Sequence, residues 1–233
     1  MAKVIGIGVG PGDPELITVK AINAIKKCDI VVVPVSKLGR SSVAFDIAKQ
    51  YIGENNTVLN QLFPMTHDKK ELEKNWDENT IEIEALVKSG KTVGFLTLGD
   101  PSFYSTYMYL VPRLQAFGIE IETIPGVTSF SAVAASQNIK IGEWEEPVGI
   151  VPLKGKGETL IEALDKFNNV VVMKPTHNLE LLYNEIKKRK LEDKFVLISK
   201  CSTDSHSVIK DVEKLKTEKI PYLSTMIIKR TGL

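Results

Sequence analysis

The sequence predicts an α/β protein of two lobes, an N-terminal lobe on a mainly parallel sheet and a C-terminal lobe on a mixed sheet. Three observations carry this. Short all-apolar runs alternate with amphipathic helical segments through the first half of the 233 residues, the pattern of repeated βα units. Strands of that half run into glycine turns, at Gly12-Asp13-Pro14, Gly99-Asp100-Pro101 and Pro125-Gly126. Late in the chain, strands follow one another closely (206–209 and 222–228), which fits a sheet of mixed direction.

The elements follow in order. Residues 3–9 (KVIGIGV) read as a buried strand, and 15–28 as a helix with Leu16, Ile17, Ala21, Ile22 and Ile25 on one face. Residues 30–33 are all apolar, as expected of a parallel strand covered on both faces; Pro34 follows it. Ser41 and Ser42 offer a cap for the helix VAFDIAKQYI, which Gly53 stops. A short strand at 57–59 precedes Phe63-Pro64-Met65-Thr66 and a long charged helix over 68–89, ended by Gly90. The strand 91–97 feeds a helix from about Phe103, in which Pro112 either makes a kink or starts a second helix. A strand at 119–124 and a helix at 129–137 complete the first half.

Periodicity fades between residues 138 and 146, a stretch read as part of the passage between lobes. Beyond it, strands are expected near 148–152, 169–173, 194–199, 206–209 and 222–228, with helices near 158–167, 178–189 and 211–216. A lobe boundary near 113–120 or 138–147 fits this pattern; the division taken is 1–115 and 116–233.

Composition narrows the function. The chain is 43% hydrophobic and 25% charged, with a net charge of +1. No polybasic segment marks a nucleic-acid or membrane partner. Only Arg40, Arg113, Arg189 and Arg230 supply guanidinium groups, so a polyanionic substrate must be met by local charge. Cys28 and Cys201 are far apart, and three scattered histidines complete no zinc pattern, so no metal site is expected. Two free thiols, no charged leader and no apolar run long enough for a bilayer place the protein in the cytoplasm as an expectation.

The glycine turns exclude two ligand classes more firmly than they select one. The N-terminal glycines are Gly6, Gly8, Gly10 and Gly12, so the G-x-G-x-x-G spacing of dinucleotide folds fails. The acidic residue wanted after the second strand is missing there; Asp29 precedes that strand instead. No G-x-x-x-x-G-K-[ST] cradle exists. Glycines with acidic and hydroxyl residues but no adjacent lysine suit a nucleoside with little or no phosphate, and S-adenosylmethionine is such a ligand. Read singly, Thr128 and Ser129 make a helix cap pair, Met173 a core methionine, and Tyr104 an amphipathic core residue.

At these motifs the sequence resembles the tetrapyrrole methyltransferases of corrin and sirohaem synthesis. GVGPGDPELIT, then LGDPSFYST, then PGVTS carry the resemblance, which runs the full length of the chain. Phe63-Pro64-Met65-Thr66 and the segment 97–106 are similar to the branch that methylates carbon-20 of precorrin-2 or cobalt-factor II. The resemblance implies two α/β lobes with S-adenosylmethionine in the cleft between them, leaving as S-adenosylhomocysteine, a homodimer, and a tetrapyrrole substrate, with or without cobalt, in an adjoining trough. It places Pro11 against the cofactor. It puts Gly99, Asp100, Pro101 and Tyr104 around its methionine and sulfonium end, with Thr128 and Ser129 near the same end. Met173 falls near the adenine, and Thr203, in Cys201-Ser202-Thr203, at a further contact. Asp100 is a candidate acceptor for the ligand's amino group.

The uroporphyrinogen branch carries an aspartate after the second strand, proposed as a base. Pro34 takes that place here, so no catalytic base is assigned. Arg40, with Lys37 beside it, is the candidate partner for substrate carboxylates, against the plain reading of a solvated loop residue. The alternatives are another tetrapyrrole ring-carbon methyltransferase or, from a different class, a nucleotide-binding oxidoreductase or a ligand-binding module without catalysis.

Overall fold

A computed structural model describes residues 2–37, 39 and 41–233. The chain divides into two compact units, Met1–Thr128 and Ser129–Leu233. This division lies beyond the expected 1–115 and 116–233, because the strand at Ile121–Ile124 pairs in parallel with the first strand and completes the first sheet.

In the first unit, β1 (Val4–Gly8), β2 (Ile30–Val35), β3 (Thr57–Leu62), β4 (Val93–Thr97) and β5 (Ile121–Ile124) form a five-stranded parallel sheet in the order β3-β2-β4-β1-β5. Their side chains alternate between two apolar layers. Ile5, Ile7, Val31, Val33 and Leu96 pack with α1 (Val19–Lys27) and α2 (Val43–Ala48). Val4, Ile30, Val32, Val93 and Phe95 pack on the other face, with residues of α3 (Lys69–Lys88) and α4 (Tyr107–Ala116). Burial on both faces explains why these strands are continuously apolar.

The local departures from expectation have identifiable causes. The first helix splits. Asp13 Oδ1 accepts from the Glu15 amide at 2.8 Å and caps a 3₁₀ turn at Pro14–Leu16. Ile17 and Thr18 are extended, and Thr18 Oγ1 accepts from the Ala21 amide at 3.1 Å to start α1. Pro34 lies inside β2 rather than after it. The register with β4 covers only Ile30–Val32, so Pro34 sits where the strand has β3 alone as partner. β3 runs to Leu62, because the side chain of Gln61 is buried against α3 and donates to the Asn79 carbonyl at 3.2 Å and to Glu82 at 2.8 Å.

Ser42 holds the cap position of α2 without a side-chain cap bond. α4 starts at Tyr107 rather than Phe103: Tyr104 takes φ 50°, which interrupts helical backbone, and Ser105 Oγ then accepts from the Tyr107 amide at 3.1 Å. Pro112 is accommodated inside this single helix.

In the second unit, β6 (Val148–Pro152), β7 (Asn169–Met173), β8 (Phe195–Ser199), β9 (Ser207–Ile209) and β10 (Ser224–Lys229) form a mixed sheet in the order β6-β7-β10-β8-β9. β6 and β7 are parallel, and β10 is antiparallel to both β7 and β8. α6 (Glu158–Lys166) and α7 (Leu179–Lys188) pack Leu160, Leu164, Leu182 and Ile186 with Val170, Val172, Leu197, Met226 and Ile228. α5 (Ser129–Ser136) contacts β10. α8 is one turn, Lys214–Thr217.

The segment expected to pass between lobes instead belongs to the second unit. Buried Lys229 donates to Asn169 Oδ1 at 2.7 Å, and Asn169 Nδ2 donates to Glu146 Oε2 at 3.0 Å. A buried ammonium group needs such partners, and supplying them fixes the end of this segment to the sheet.

Candidate functional site

The three glycine turns of the first unit meet at the carboxyl edge of its sheet. Gly10 and Gly99 form an antiparallel bridge, with the Gly99 amide donating to the Gly10 carbonyl at 2.8 Å and the Gly10 amide to the Gly99 carbonyl at 3.2 Å. Gly8 and Gly126 touch backbone to backbone; a Cβ on Gly8 would stand 2.5 Å from the Gly126 nitrogen. Side chains at either position would push the turns apart.

Asp100 fastens the second turn to the third. Its Oδ2 accepts from the Gly126 amide at 2.9 Å, while Oδ1 accepts from the Ser102 amide at 2.8 Å and from the Ser102 hydroxyl. Asp100 is buried. The sequence marked this aspartate as an acceptor for a ligand's amino group; in the structure both of its oxygens already hold the turns together. Pro101 is buried behind it, and Pro11 follows the Gly10–Gly99 bridge, half-buried.

The open side of this junction lies at Gly99. Its φ is +72°, and a Cβ there would meet only the Val127 carbonyl oxygen, at 3.9 Å. Space therefore remains beside a backbone held in a conformation that glycine tolerates. Just before it, Thr97 is 6% exposed and its Oγ1 has no hydrogen-bond partner among the described residues. Free space at Gly99 and the orphaned, buried Thr97 hydroxyl two residues before it fit a polar, weakly charged ligand such as S-adenosylmethionine. Thr97 was missed in the sequence; its one signal there is a polar residue ending a buried strand. Tyr104 stands half-exposed, its ring 4.9 Å edge-on from that of Phe103. Thr128, half-buried, ends the unit.

In the second unit, Ser129 and Met173 come together through a residue the sequence did not mark. Ser129 Oγ lies 3.2 Å from Thr225 Oγ1 and 3.7 Å from Met173 Sδ. Thr225 pairs with Met173 across the β10–β7 ladder, which places both side chains for this contact. Thr203 sits in the turn after β8, with its hydroxyl donating to the Lys200 carbonyl at 2.9 Å. β7 and β8 run in the same direction on either side of β10, so Met173 and the turn of Thr203 share one edge of that sheet. Lys37 is exposed after β2. Arg40 lies outside the described residues.

The sequence profile of the Tetrapyrrole (Corrin/Porphyrin) Methylases matches residues 3–216. The chain belongs to this methylase family. A relative from Methanocaldococcus jannaschii, named a probable cobalt-precorrin-2 C(20)-methyltransferase, is 38% identical over 98% of this chain and 96% of its own. A cobalt-precorrin-2 C(20)-methyltransferase from Salmonella typhimurium is 29% identical, over 98% and 96%. Among solved structures, a cobalt precorrin-4 methyltransferase superposes with TM-score 0.76 at 22% identity, covering 97% of this chain and 94% of its own. The uroporphyrin-III C-methyltransferase of Thermus thermophilus, complexed with S-adenyl homocysteine, superposes with TM-score 0.71 at 18% identity, covering 99% of each chain. Two α/β units, one parallel and one mixed, are thus the architecture of a tetrapyrrole methylase. Among the described residues no helix is long and apolar enough to cross a membrane.

Proposed function

We propose that this methylase transfers the methyl group of S-adenosylmethionine to carbon-20 of cobalt-precorrin-2 or cobalt-factor II in cobalamin biosynthesis. The observation that carries the reading is 38% identity along 98% of the chain to the M. jannaschii relative of that name. The Salmonella relative, also named for a cobalt substrate, favours the metallated ring. A Sinorhizobium relative named precorrin-2 C(20)-methyltransferase, 26% identical, supports the metal-free ring as second reading.

For the cofactor we propose Pro11, Gly99, Asp100, Pro101, Tyr104 and Thr128 in the first unit and Ser129, Met173 and Thr203 in the second. Bound S-adenosylmethionine supplies an electrophilic methyl group on a sulfonium. The chain's task is to hold the reacting atoms in line, and good orientation lowers such barriers by roughly 7–11 kcal/mol. Backbone carbonyls at the strand ends beside Gly99 are partners of modest strength for a cation. That suits catalysis, since a strong carboxylate pair would stabilise the sulfonium before transfer more than during it. Asp100, committed to Ser102 and Gly126, orients this backbone rather than neutralising the cation. Arg40 and Lys37 are proposed for substrate carboxylates, and a homodimer as the working assembly.

The test is an anaerobic methyl-transfer assay with cobalt-precorrin-2 and, separately, metal-free precorrin-2, reading product mass and the position of the new methyl. One methyl at carbon-20 of the cobalt ring is expected. Transfer only to the metal-free ring selects the second reading, and transfer to neither overturns both.

A further inference from the structure

Among the described residues the two sheets end in four edge strands, and β3 is the longest of them, with six residues. β6 has five and ends in Pro152, β5 has four, and β9 has three. β5 also carries Glu122, bridged to Lys3 and Lys20. Charge, proline and shortness are the devices that keep a sheet edge from pairing with another chain. β3 has none of them. Between Glu54 and Asp68 the sequence holds no Lys, Arg, Asp or Glu, in a chain that is 25% charged.

The ladder with β2 shows which backbone groups of β3 are open. The Thr57 amide donates to the Asp29 carbonyl and the Phe63 amide to the Val35 carbonyl, both at 2.8 Å. In this parallel register Thr57, Leu59 and Gln61 therefore turn their backbone toward β2, while Val58, Asn60 and Leu62 turn theirs outward. Asn79 Nδ2 takes the Leu62 carbonyl at 2.8 Å. The amides and carbonyls of Val58 and Asn60 meet no partner among the described residues. Both residues are exposed, and Leu59 between them is half-buried in the apolar layer under α3.

We propose that β3 pairs antiparallel with β3 of a second copy of this chain, about a two-fold axis at Leu59. The inference rests on the homodimer proposed above and names its surface; it is independent of which ring is methylated. About that axis Val58 of one copy stands against Asn60 of the other, and each such pair exchanges both of its amide–carbonyl bonds. All the open groups of Val58 and Asn60 are then used, and Leu59 meets Leu59 as a close, non-hydrogen-bonded pair. The lack of charge is what selects a second copy as the occupant. An isologous contact sets a strand against itself, so a charged residue near the axis would face its own like charge.

Asn60→Pro, Val58→Lys, Leu59→Cys and, as a control on another edge, Val208→Lys are compared with the parent by sedimentation velocity, with circular dichroism to confirm folding. The parent is expected to sediment as a dimer. Asn60→Pro removes an outward amide without touching the β2 ladder, and Val58→Lys sets two ammonium groups diagonally across the axis. Each should raise the dimer Kd by about a hundredfold, as loss of several hydrogen bonds together does, with the sheet signal retained. Val208→Lys should remain dimeric. Leu59→Cys should cross-link into a reducible dimer under mild oxidation, which the parent does not, because a pair of this kind brings its Cα atoms to about 4.5 Å, within disulfide range. A dimer that persists in both Asn60→Pro and Val58→Lys overturns the surface and leaves the homodimer standing. A monomeric parent overturns both. A dimeric Leu59→Cys that does not cross-link overturns the pairing about Leu59.

Discussion

Asp100 and Gly126 are 26 residues apart in sequence, yet the carboxylate of one accepts the backbone amide of the other at 2.9 Å. With the Ser102 contacts, this single side chain closes the junction of two glycine turns. Removing it leaves buried donors without an acceptor, at a cost of about 1–3 kcal/mol. Asp100→Ala is therefore expected to lower the melting temperature by several degrees and weaken S-adenosylhomocysteine binding at least tenfold. Asp100→Asn should be intermediate, because an amide keeps one acceptor oxygen for the two sides. Calorimetry and thermal melts read both effects; a parent-like affinity in Asp100→Ala would show that the junction does not shape the cofactor surface.

Gly99 tests the open side of that junction. Its φ of +72° makes any side chain costly, by about 1–2 kcal/mol for an L-residue in the left-handed region, while nothing closer than 3.9 Å blocks a Cβ sterically. Gly99→Ala should fold with a modest loss of stability. Gly99→Val, bulkier and β-branched, should lose S-adenosylhomocysteine binding beyond detection. A folded valine variant with normal affinity would move the cofactor elsewhere.

Met173 and Ser129 probe the second unit. Met173→Ala removes the thioether that receives Ser129 and opens a gap beside Thr225, so S-adenosylhomocysteine affinity should fall by about tenfold. Met173→Leu, close in volume, should retain most of it. Equal losses in both variants would assign the role to sulfur chemistry rather than to packing.

Arg40 was singled out by sequence for substrate carboxylates. Arg40→Ala is expected to raise the KM for the tetrapyrrole about tenfold, with kcat and S-adenosylhomocysteine affinity unchanged. An unaltered KM would return Arg40 to the role of a solvated loop residue.

Acid stability has a named contributor in the first unit. Glu122 on β5 accepts from Lys20 and Lys3, at 2.8 and 2.7 Å, and these bonds hold its carboxyl at about 2, below the ordinary value of 4.5. Because the folded value lies below the unfolded one, the contribution is fully present above about pH 4.5 and is lost as pH falls toward 2. Glu122→Gln should lower stability at pH 7 and flatten the acid limb of the stability–pH curve, as denaturant titrations would show. An unchanged slope between pH 4.5 and 2 would remove Glu122 from the account.

Much of the fold was legible because its signals are local. Apolar runs such as 30–33 and 169–173 mark strands buried on both faces, Gly90 stops α3, and Asp68 caps it through the Lys70 and Glu71 amides. Where local signals conflicted, the sequence misled. Thr18 was read as helix interior, yet its hydroxyl caps α1, and Tyr104 delays α4 by a backbone angle that no propensity foretells. Residues 138–146 carry no periodicity, and it is the burial of Lys229, far along the chain, that fixes Glu146 to the second unit.

By itself the sequence determined the two α/β units, the three glycine turns and the family, since each depends on residue types at short spacing. Only tertiary structure decided that Gly8, Gly10, Gly99 and Gly126 meet, and that Asp100 is spent on holding them. These relationships join residues roughly 25 to 120 positions apart, and parallel strand order sets them. A parallel sheet collects its strand ends at one edge whatever the distance along the chain, so composition and spacing carry no record of which ends become neighbours.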